Sequence, residues 1–330
     1  MLDKVSLVNF RSHEKYELKC KPSTTLILGE NGCGKTSVLE AVYLALRGKS
    51  FRAVDREILK WEQAFYRVEV EFTSGEKTVV IYDGVKKKFL VGDKKAARLP
   101  VKYKHPVVLF LPSDLELVEA SASKRRDYFD RIIAQLDAKY SSSLWRYEKA
   151  MQQRNKLLKQ EYLDEAALFS WNLLMAKYGV EIRKKRFELA TEINERLTMV
   201  YRSIAENTDT VELVYGSYTE ESSESEYLRL LSMDYERDKL TGHTNFGVHR
   251  DSWGFRFNGV EADGNASRGE MRSIILALKF IEADLLFETY GERPTVLLDD
   301  VFSELDDGRQ RALIKNFEHN QVILTSVKKP

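Results

Sequence analysis

Apolar and polar residues alternate in part over Val5, Leu7 and Val8–Phe10, the period of a half-buried strand. The run TTLIL, Thr24–Leu28, is continuously apolar after its threonines and opens onto glycines, which predicts a short buried strand. Beyond Lys35 the spacing changes to three or four: Val38, Val42 and Leu46 share one helical face, and Gly48 marks the end. In FYRVEVEFTSGEKTVVIYDG, Val68, Val70 and Phe72 alternate, a Ser-Gly turn follows, and Val79 to Tyr82 form the return strand of a hairpin. HPVVLFLP, His105–Pro112, predicts another buried strand, closed by its proline.

From Ser121 to Asn207 the texture becomes helical. Gly179 is the sole glycine there and proline is absent; Leu174, Tyr178, Ile182, Leu189, Ile193, Leu197 and Tyr201 recur at helical spacing. A short strand is expected at Val211–Tyr215, then a solvated acidic loop, TEESSESE, over Thr219–Glu226. Strand and turn return from Thr241, with TVLLDD and NQVILTS as buried strands. The pattern predicts a discontinuous α/β domain, 1–120 and 241–330, interrupted by a mainly helical second subdomain over 121–240.

Composition adds bounds to this. With 330 residues and 43% hydrophobic, the chain can bury a sizeable core in roughly two domains. Its 52 basic and 51 acidic side chains nearly cancel, so only local patches speak to a polyanionic partner. Two separated cysteines, Cys20 and Cys33, and five histidines offer neither a disulfide framework nor zinc-ligand spacing. The N-terminus lacks the apolar core of a signal peptide, and no apolar run approaches the ~18 residues that span a membrane. The expectation is a cytoplasmic protein with no membrane partner.

Candidate chemistry begins at LGENGCGKTSVLEA. Gly29, Gly32, Gly34, Lys35 and Thr36 complete G-x-x-x-x-G-K-T between a strand and a helix. Glycines let backbone N–H groups curl around phosphates, and the helix N-terminus adds favourable potential. The loop Gly29, Glu30, Asn31, Gly32, Cys33 and Gly34, with Lys35, Thr36 and Ser37, is thus the expected nucleotide cradle. Lys35 would reach the β- and γ-phosphates and the Thr36 hydroxyl would sit on Mg2+. TVLLDD supplies the second metal ligand, Asp299, after Val296, Leu297 and Leu298; Asp300 beside it would orient or deprotonate the attacking water.

About 30 residues earlier, Ser267-Arg268-Gly269-Glu270 opens an amphipathic helix with Ile274, Leu278, Ile281 and Leu285 on one face. Ser267 and Glu270 fit a capping box. The same Ser-x-Gly-Glu start resembles the signature of ABC-type ATPases, in which the signature helix of one subunit caps the γ-phosphate held by the other. That resemblance makes Ser267, Gly269 and Glu270 nucleotide-binding candidates and SELD, Ser303–Asp306, a D-loop across a dimer interface.

Further segments resemble the RecF family of bacterial recombination-repair ATPases. They are LVNFRSH, LEAVYLAL, FLPSDLELVEASASKRRDYFD with Arg125 and Arg126, SWNLLMAKYGVEIRKKR, GVHRDSWGFRFNG and LLDDVFSELDDGRQRAL, in the family's order along nearly the whole chain. The chain departs from the pattern in reading Ser-Arg-Gly-Glu where Ser-Gln-Gly-Gln is usual, in Val248 for proline, and in ending at LTSVKKP, short of the usual strand-bearing tail. The resemblance implies an ABC-type P-loop ATPase head that homodimerises on ATP and hydrolyses it slowly, with DNA as a stimulant. It also implies binding to double- and single-stranded DNA at gaps and stalled forks, in DNA replication, damage repair and the SOS response. The implied partners are RecR directly, and RecO and RecA indirectly.

Two other classes compete. A transporter ATPase subunit shares the phosphate loop and signature, yet normally carries Asp-Glu where this chain has Asp299-Asp300. A self-contained GTPase or phosphotransferase would need no signature helix, and no Asn-Lys-x-Asp motif is present. Three basic runs, Lys86–Lys88, Lys124–Arg126 and Arg183–Arg186, are the kind that phosphate contacts need, but such runs are usually solvated faces, so the expectation of DNA binding rests mainly on the resemblance. His249 reads as structural, stabilising the turn before Asp251, with a nucleotide contact as the alternative. Cys33 reads as a tolerated loop residue, with redox sensitivity as the alternative.

Overall fold

The structure is a computed structural model that describes residues 1–92, 94–162, 164–216 and 223–327. Two compact units emerge, Met1–Leu115 with Lys279–Pro330, and Glu116–Leu278.

The first unit is built on two sheets. Strands β1 (Leu2–Phe10) and β2 (His13–Lys19) form a hairpin, followed by β3 (Thr24–Leu28), helices α1 (Lys35–Arg47) and α2 (Asp55–Ile58), and strands β4 (Tyr66–Phe72), β5 (Lys77–Tyr82), β6 (Lys87–Val91), β7 (Lys94–Ala96) and β8 (Val107–Phe110). The antiparallel sheet runs β2-β1-β4-β5-β6-β7, with the expected hairpin pairing Val68 to Val80 and Val70 to Thr78.

In the second unit lie α3 (Ala122–Leu136), α4 (Tyr140–Leu158), α5 (Glu165–Ala205), β9 (Val211–Tyr215), α6 (Glu224–Met233), α7 (Tyr235–Thr241), β10 (Trp253–Phe257) and β11 (Val260–Glu261). Helix α8 (Arg268–Tyr290) begins there and continues into the first unit, which closes with β12 (Thr295–Asp299), α9 (Asp307–Asn316) and β13 (Val322–Ser326). These last strands enter a parallel sheet, β3-β13-β12-β8. Pairing of Thr24–Leu28 with Val322–Ser326, and of Thr295–Leu298 with Val107–Phe110, joins segments from opposite ends of the chain.

Helix α1 packs against strands of both sheets, so its residues from Ser37 to Leu46 are buried all round. The two sheets are also tied by an amide: Gln321 accepts the Leu2 N–H at 2.7 Å and donates to the Leu2 carbonyl at 2.7 Å and the Lys21 carbonyl at 2.9 Å. Where α8 enters this unit, Lys279 is fully buried. Its ammonium donates to the Leu109 carbonyl at 2.6 Å and lies 3.1 Å from Asp114 and 3.3 Å from Glu282, the compensation a buried cation requires.

The second unit is broader than the helical segment expected over 121–240. It takes in a three-stranded antiparallel sheet, β11-β10-β9, because Val211 to Tyr215 pair residue by residue with Phe257 to Trp253. The other edge of β9 is closed by α5: Asn194 exchanges two 2.8 Å bonds with Leu213, and Thr198 bonds both N–H and carbonyl of Val211. Side chains of a helix thus replace a neighbouring strand. Of the acidic run, Thr219–Ser222 lies outside the described residues, and Glu224–Glu226 differ from the expected loop. Ser223 caps α6 by accepting from the Glu226 N–H, and carboxylates in a first turn favour the helix.

Polar networks hold the second unit's turn at Gly247–Asp251. Asp251 is 2.7 Å from Arg183 and accepts the Tyr215 hydroxyl at 2.5 Å, while Arg186 pairs with Asp130 at 2.8 Å and donates to the Val248 carbonyl at 2.7 Å. His249 sits between the Tyr147 hydroxyl, 3.1 Å away, and the Thr244 carbonyl, 3.0 Å away; burial holds its pKa below the usual imidazole value. Its surroundings fit the structural role expected for it.

Candidate functional site

The phosphate loop occupies the turn from β3 into α1. Gly34 sits at the N-cap with φ 97°, and a Cβ there would stand 2.5 Å from His13 Nε2 and 2.6 Å from Ser12 Oγ, so both conformation and space demand glycine. No side chain caps this helix and its first turn holds no acid, which leaves its leading N–H groups free for an anion. Gly29 is constrained differently: a Cβ would meet Cys33 Sγ at 2.5 Å, and Cys33 is exposed as a free thiol.

Lys35 is 8% exposed and its ammonium donates to the Gly29 carbonyl at 2.7 Å and the Glu30 carbonyl at 2.9 Å. The loop therefore folds back over its own lysine. The Thr36 hydroxyl lies 2.9 Å from both carboxylate oxygens of Asp299, and Thr325 donates to Asp299 Oδ1 at 2.8 Å. A hydroxyl and a carboxylate at this separation are hard oxygen donors of the kind magnesium takes beside phosphate oxygens. Asp300 follows in a left-handed conformation, φ 51°, held by donation of its N–H to Thr325 Oγ1 at 3.0 Å. Its Oδ1 is buried with no hydrogen-bond partner among the described residues, a costly state unless a ligand or water completes it.

These groups line one cavity of about 620 Å³, all of whose walls come from the first unit. Asn31, Gly32, Gly34, Lys35, Thr36 and Ser37 contribute, with Asp299 and Asp300. Gly29, Glu30 and Cys33 do not line it; the first two act through their carbonyls on Lys35.

Two arginines in the lining, Arg11 and Arg52, were not assigned from the sequence. Both are held by Glu40, a fully buried carboxylate on α1: Arg11 donates to it at 2.9 and 2.8 Å, Arg52 at 2.9 Å and the Ser50 hydroxyl at 2.6 Å. Burial works to raise the Glu40 pKa, but the bonds from Arg11, Ser50 and Arg52 outweigh it and leave the group below the usual carboxylate value. The sequence did carry a signal: a single acid inside the apolar run SVLEAVYLAL needs buried cations as partners.

The signature candidates belong to the second unit, at the start of α8. Ser267 Oγ accepts the Glu270 N–H at 3.3 Å and Glu270 Oε2 accepts the Ser267 N–H at 2.6 Å, so the capping box is formed. Ser267 and Arg268 are exposed at the head of this 23-residue helix. Ser303–Asp306 follows β12, with Ser303 donating to the Asp300 carbonyl at 2.8 Å and Asp306 capping α9.

The arginines of the basic runs are engaged inside the fold, whereas Lys86, Lys124 and Lys184 are exposed. Arg125 donates to the Val118 carbonyl at 3.1 Å and Arg126 to the Asp251 carbonyl at 2.8 Å. Arg183 and Arg186 form the Asp130–Asp251 network, and Lys185 pairs with Glu188. Lys87 pairs with Asp55 and Lys88 with Asp83, each at 2.9 Å.

Comparison with known proteins joins this geometry to a family. The AAA domain family matches residues 4–239. A DNA replication and repair protein RecF from Clostridium acetobutylicum is 30% identical over 97% of this chain and 90% of its own length. A solved structure of "the recombination mediator protein RecF-ATPrS in RecFOR pathway" superposes with TM-score 0.89 at 28% identity, covering 100% of this chain and 93% of that one. The Smc head domain of Pyrococcus furiosus, at 15% identity and TM-score 0.51 over 99% of this chain and 89% of its own, shares the fold. The expected fold class, an ABC-type ATPase head with an inserted helical subdomain, is the one these structures have.

Proposed function

The chain belongs to the RecF family of DNA replication and repair proteins, and from that premise we propose that it is an ATP-driven clamp on DNA. In this reading ATP and Mg2+ occupy the 620 Å³ cavity, two copies close on the nucleotide, and the closed dimer binds DNA at gaps and stalled forks. It assists the placing of RecA with RecR and, indirectly, RecO. Hydrolysis is slow, is stimulated by DNA, and reopens the dimer.

One observation carries the reading: Lys35, Thr36, Asp299 and Asp300 share a cavity walled only by the first unit, whereas Ser267 is exposed at a helix N-terminus in the other. An N-terminus of this kind attracts anions, and a second copy is its natural source of a γ-phosphate. Within the cavity, the first-turn N–H groups of α1 and the Lys35 ammonium bind phosphate oxygens, Lys35 exchanging its two carbonyl partners for them. Thr36 and Asp299 would hold magnesium, which would supply neutralisation of phosphate charge. Asp300 orients a water through its unpaired Oδ1 and accepts the water's proton as the γ-phosphate is attacked. Gly29, Glu30, Asn31, Gly32, Cys33, Gly34 and Ser37 shape the cradle, while Gly269 and Glu270 shape the cap.

The test is ATPase rate against protein concentration, with and without gapped duplex DNA. A rate per protein that rises with concentration and with DNA is expected. A rate that responds to neither overturns the clamp.

A further inference from the structure

The arginines of the basic runs are occupied by internal carboxylates and carbonyls, and one group of exposed cations in the second unit lies on α4. Trp145, Lys149, Gln152 and Lys156 recur at intervals of four, three and four, which places them on one helical face. All four are exposed, the indole by 57%. The Lys149 ammonium lies 5.1 Å from the Trp145 ring centroid. Beside this face, Arg146 packs over the Tyr178 ring at 5.5 Å and donates to its hydroxyl at 2.9 Å, and the Lys177 ammonium lies 5.8 Å from the same ring. Among the described residues Lys149, Lys156 and Lys177 form no ion pair. The bordering carboxylates are Glu148, one residue before Lys149, and Glu181, which accepts the Ser143 hydroxyl at 2.9 Å.

An exposed indole and a row of unpaired lysines on one rigid helix are poorly explained by packing. A large aromatic left in water forgoes burial, and two lysines without an ion-pair partner leave the face positively charged. Both features suit one kind of occupant. Single-stranded nucleic acid offers unpaired bases that stack on aromatic rings and a phosphate chain that lysines follow, while an amide such as Gln152 bonds base edges or phosphate. A duplex keeps its bases stacked internally and has no use for the indole.

We propose that the α4 face carrying Trp145, Lys149, Gln152 and Lys156 binds single-stranded DNA, with a base stacked on Trp145 and the lysines on flanking phosphates. This rests on the DNA-binding reading above and adds to it where the single strand of a gap would lie. On binding, Lys149 exchanges its contact with the indole for a phosphate, which uncovers the ring.

The experiment uses the full chain with ATP and Mg2+, measuring anisotropy of labelled oligothymidylate and of labelled duplex. Trp145→Leu weakens oligothymidylate binding about tenfold and leaves duplex binding unchanged. Lys149→Gln combined with Lys156→Gln lowers the salt slope for oligothymidylate by about 1.4, two contacts at roughly 0.7 each. Tryptophan fluorescence of the parent is quenched by oligothymidylate and that quench is lost in Trp145→Leu, although the other three of the four tryptophans remain. Parent-like oligothymidylate affinity in Trp145→Leu overturns the proposal, as does equal loss of duplex binding. A parent that binds duplex but not oligothymidylate also overturns it and leaves the clamp standing; a parent that binds neither removes the clamp as well.

Discussion

Thr36 and Asp299, 263 residues apart, are joined through a hydroxyl that lies 2.9 Å from both oxygens of the carboxylate. Thr325 on the neighbouring strand donates to the same carboxylate at 2.8 Å, so Asp299 is oriented from two sides before any ligand arrives. The geometry separates charge from hydrogen bonding. Asp299→Asn keeps an oxygen for both hydroxyls and removes the charge that would hold a cation. ATP affinity measured by calorimetry with Mg2+ and with a chelator is expected to differ in the parent and to coincide in Asp299→Asn. A variant in which Mg2+ still tightens ATP would remove Asp299 from the metal.

Asp300 predicts the opposite pattern. Its Oδ1 is buried without a partner among the described residues, and the residue is held in a left-handed turn by Thr325. Asp300→Asn tolerates that backbone, since asparagine enters the left-handed region as readily as any non-glycine residue. ATP binding and ATP-driven dimerisation are therefore expected to persist, with turnover slowed about 10²- to 10⁴-fold, the usual worth of a general base. Lys35→Ala is the contrasting variant: it loses dimerisation in light scattering because phosphate binding itself fails. Turnover of Asp300→Asn within a factor of about two of the parent would assign the base elsewhere.

How much of this was legible depends on the range of the interactions. Strands Thr24–Leu28 and Val211–Tyr215 fall where their apolar runs place them, because burial on a sheet is written in local alternation. The phosphate loop was legible for a related reason, since glycines with positive φ leave a compositional mark. The short strand Trp253–Phe257 was not, because its place in a sheet comes from pairing with Val211–Tyr215 some forty residues away, and Val260–Glu261, only two residues long, is a strand by virtue of pairing with Arg256 and Phe257. The same limit hid Arg11 and Arg52. Glu40 draws them in across 29 and 12 positions; the lone acid in its apolar run announces a need for cations, but no local pattern says which. Basic runs are ambiguous in the converse way, because adjacency in sequence says nothing of which cation finds a carboxylate inside: Arg183 and Arg186 do, while Lys184 between them stays exposed.

Glu40 yields a pH prediction. Its pKa lies below the ordinary value of 4.5 in the folded protein. A depressed carboxylate contributes stability that is fully present above the unfolded value and is lost as pH falls through the folded one. The melting temperature is thus expected to drop as pH is lowered below about 4.5, and this acid limb is expected to be shallower in Glu40→Gln. At neutral pH the same variant leaves Arg11 and Arg52 without their shared anion and costs about 3–5 kcal/mol, read from denaturant midpoints. Unaltered acid unfolding in Glu40→Gln would show that other carboxylates govern it.

Ser267 offers the sharpest choice, because two roles coincide on one hydroxyl. In the single chain it accepts the Glu270 N–H at 3.3 Å and completes a capping box, which by itself explains a serine at this position. In a closed dimer the same hydroxyl, with the Gly269 N–H, would meet the partner's γ-phosphate. Substitution by alanine damages both roles and decides nothing. Aspartate caps helices as well as serine does, and its charge suits a helix N-terminus, so Ser267→Asp preserves or slightly raises the stability of α8. Facing a γ-phosphate, that carboxylate is a like charge at close range and repels it. The expected result is an unchanged melting temperature and unchanged ATP binding by monomers, with ATP-driven dimerisation lost in light scattering. Should Ser267→Asp dimerise with ATP as the parent does, Ser267 is a cap and nothing more, and the shared site must be closed by other residues.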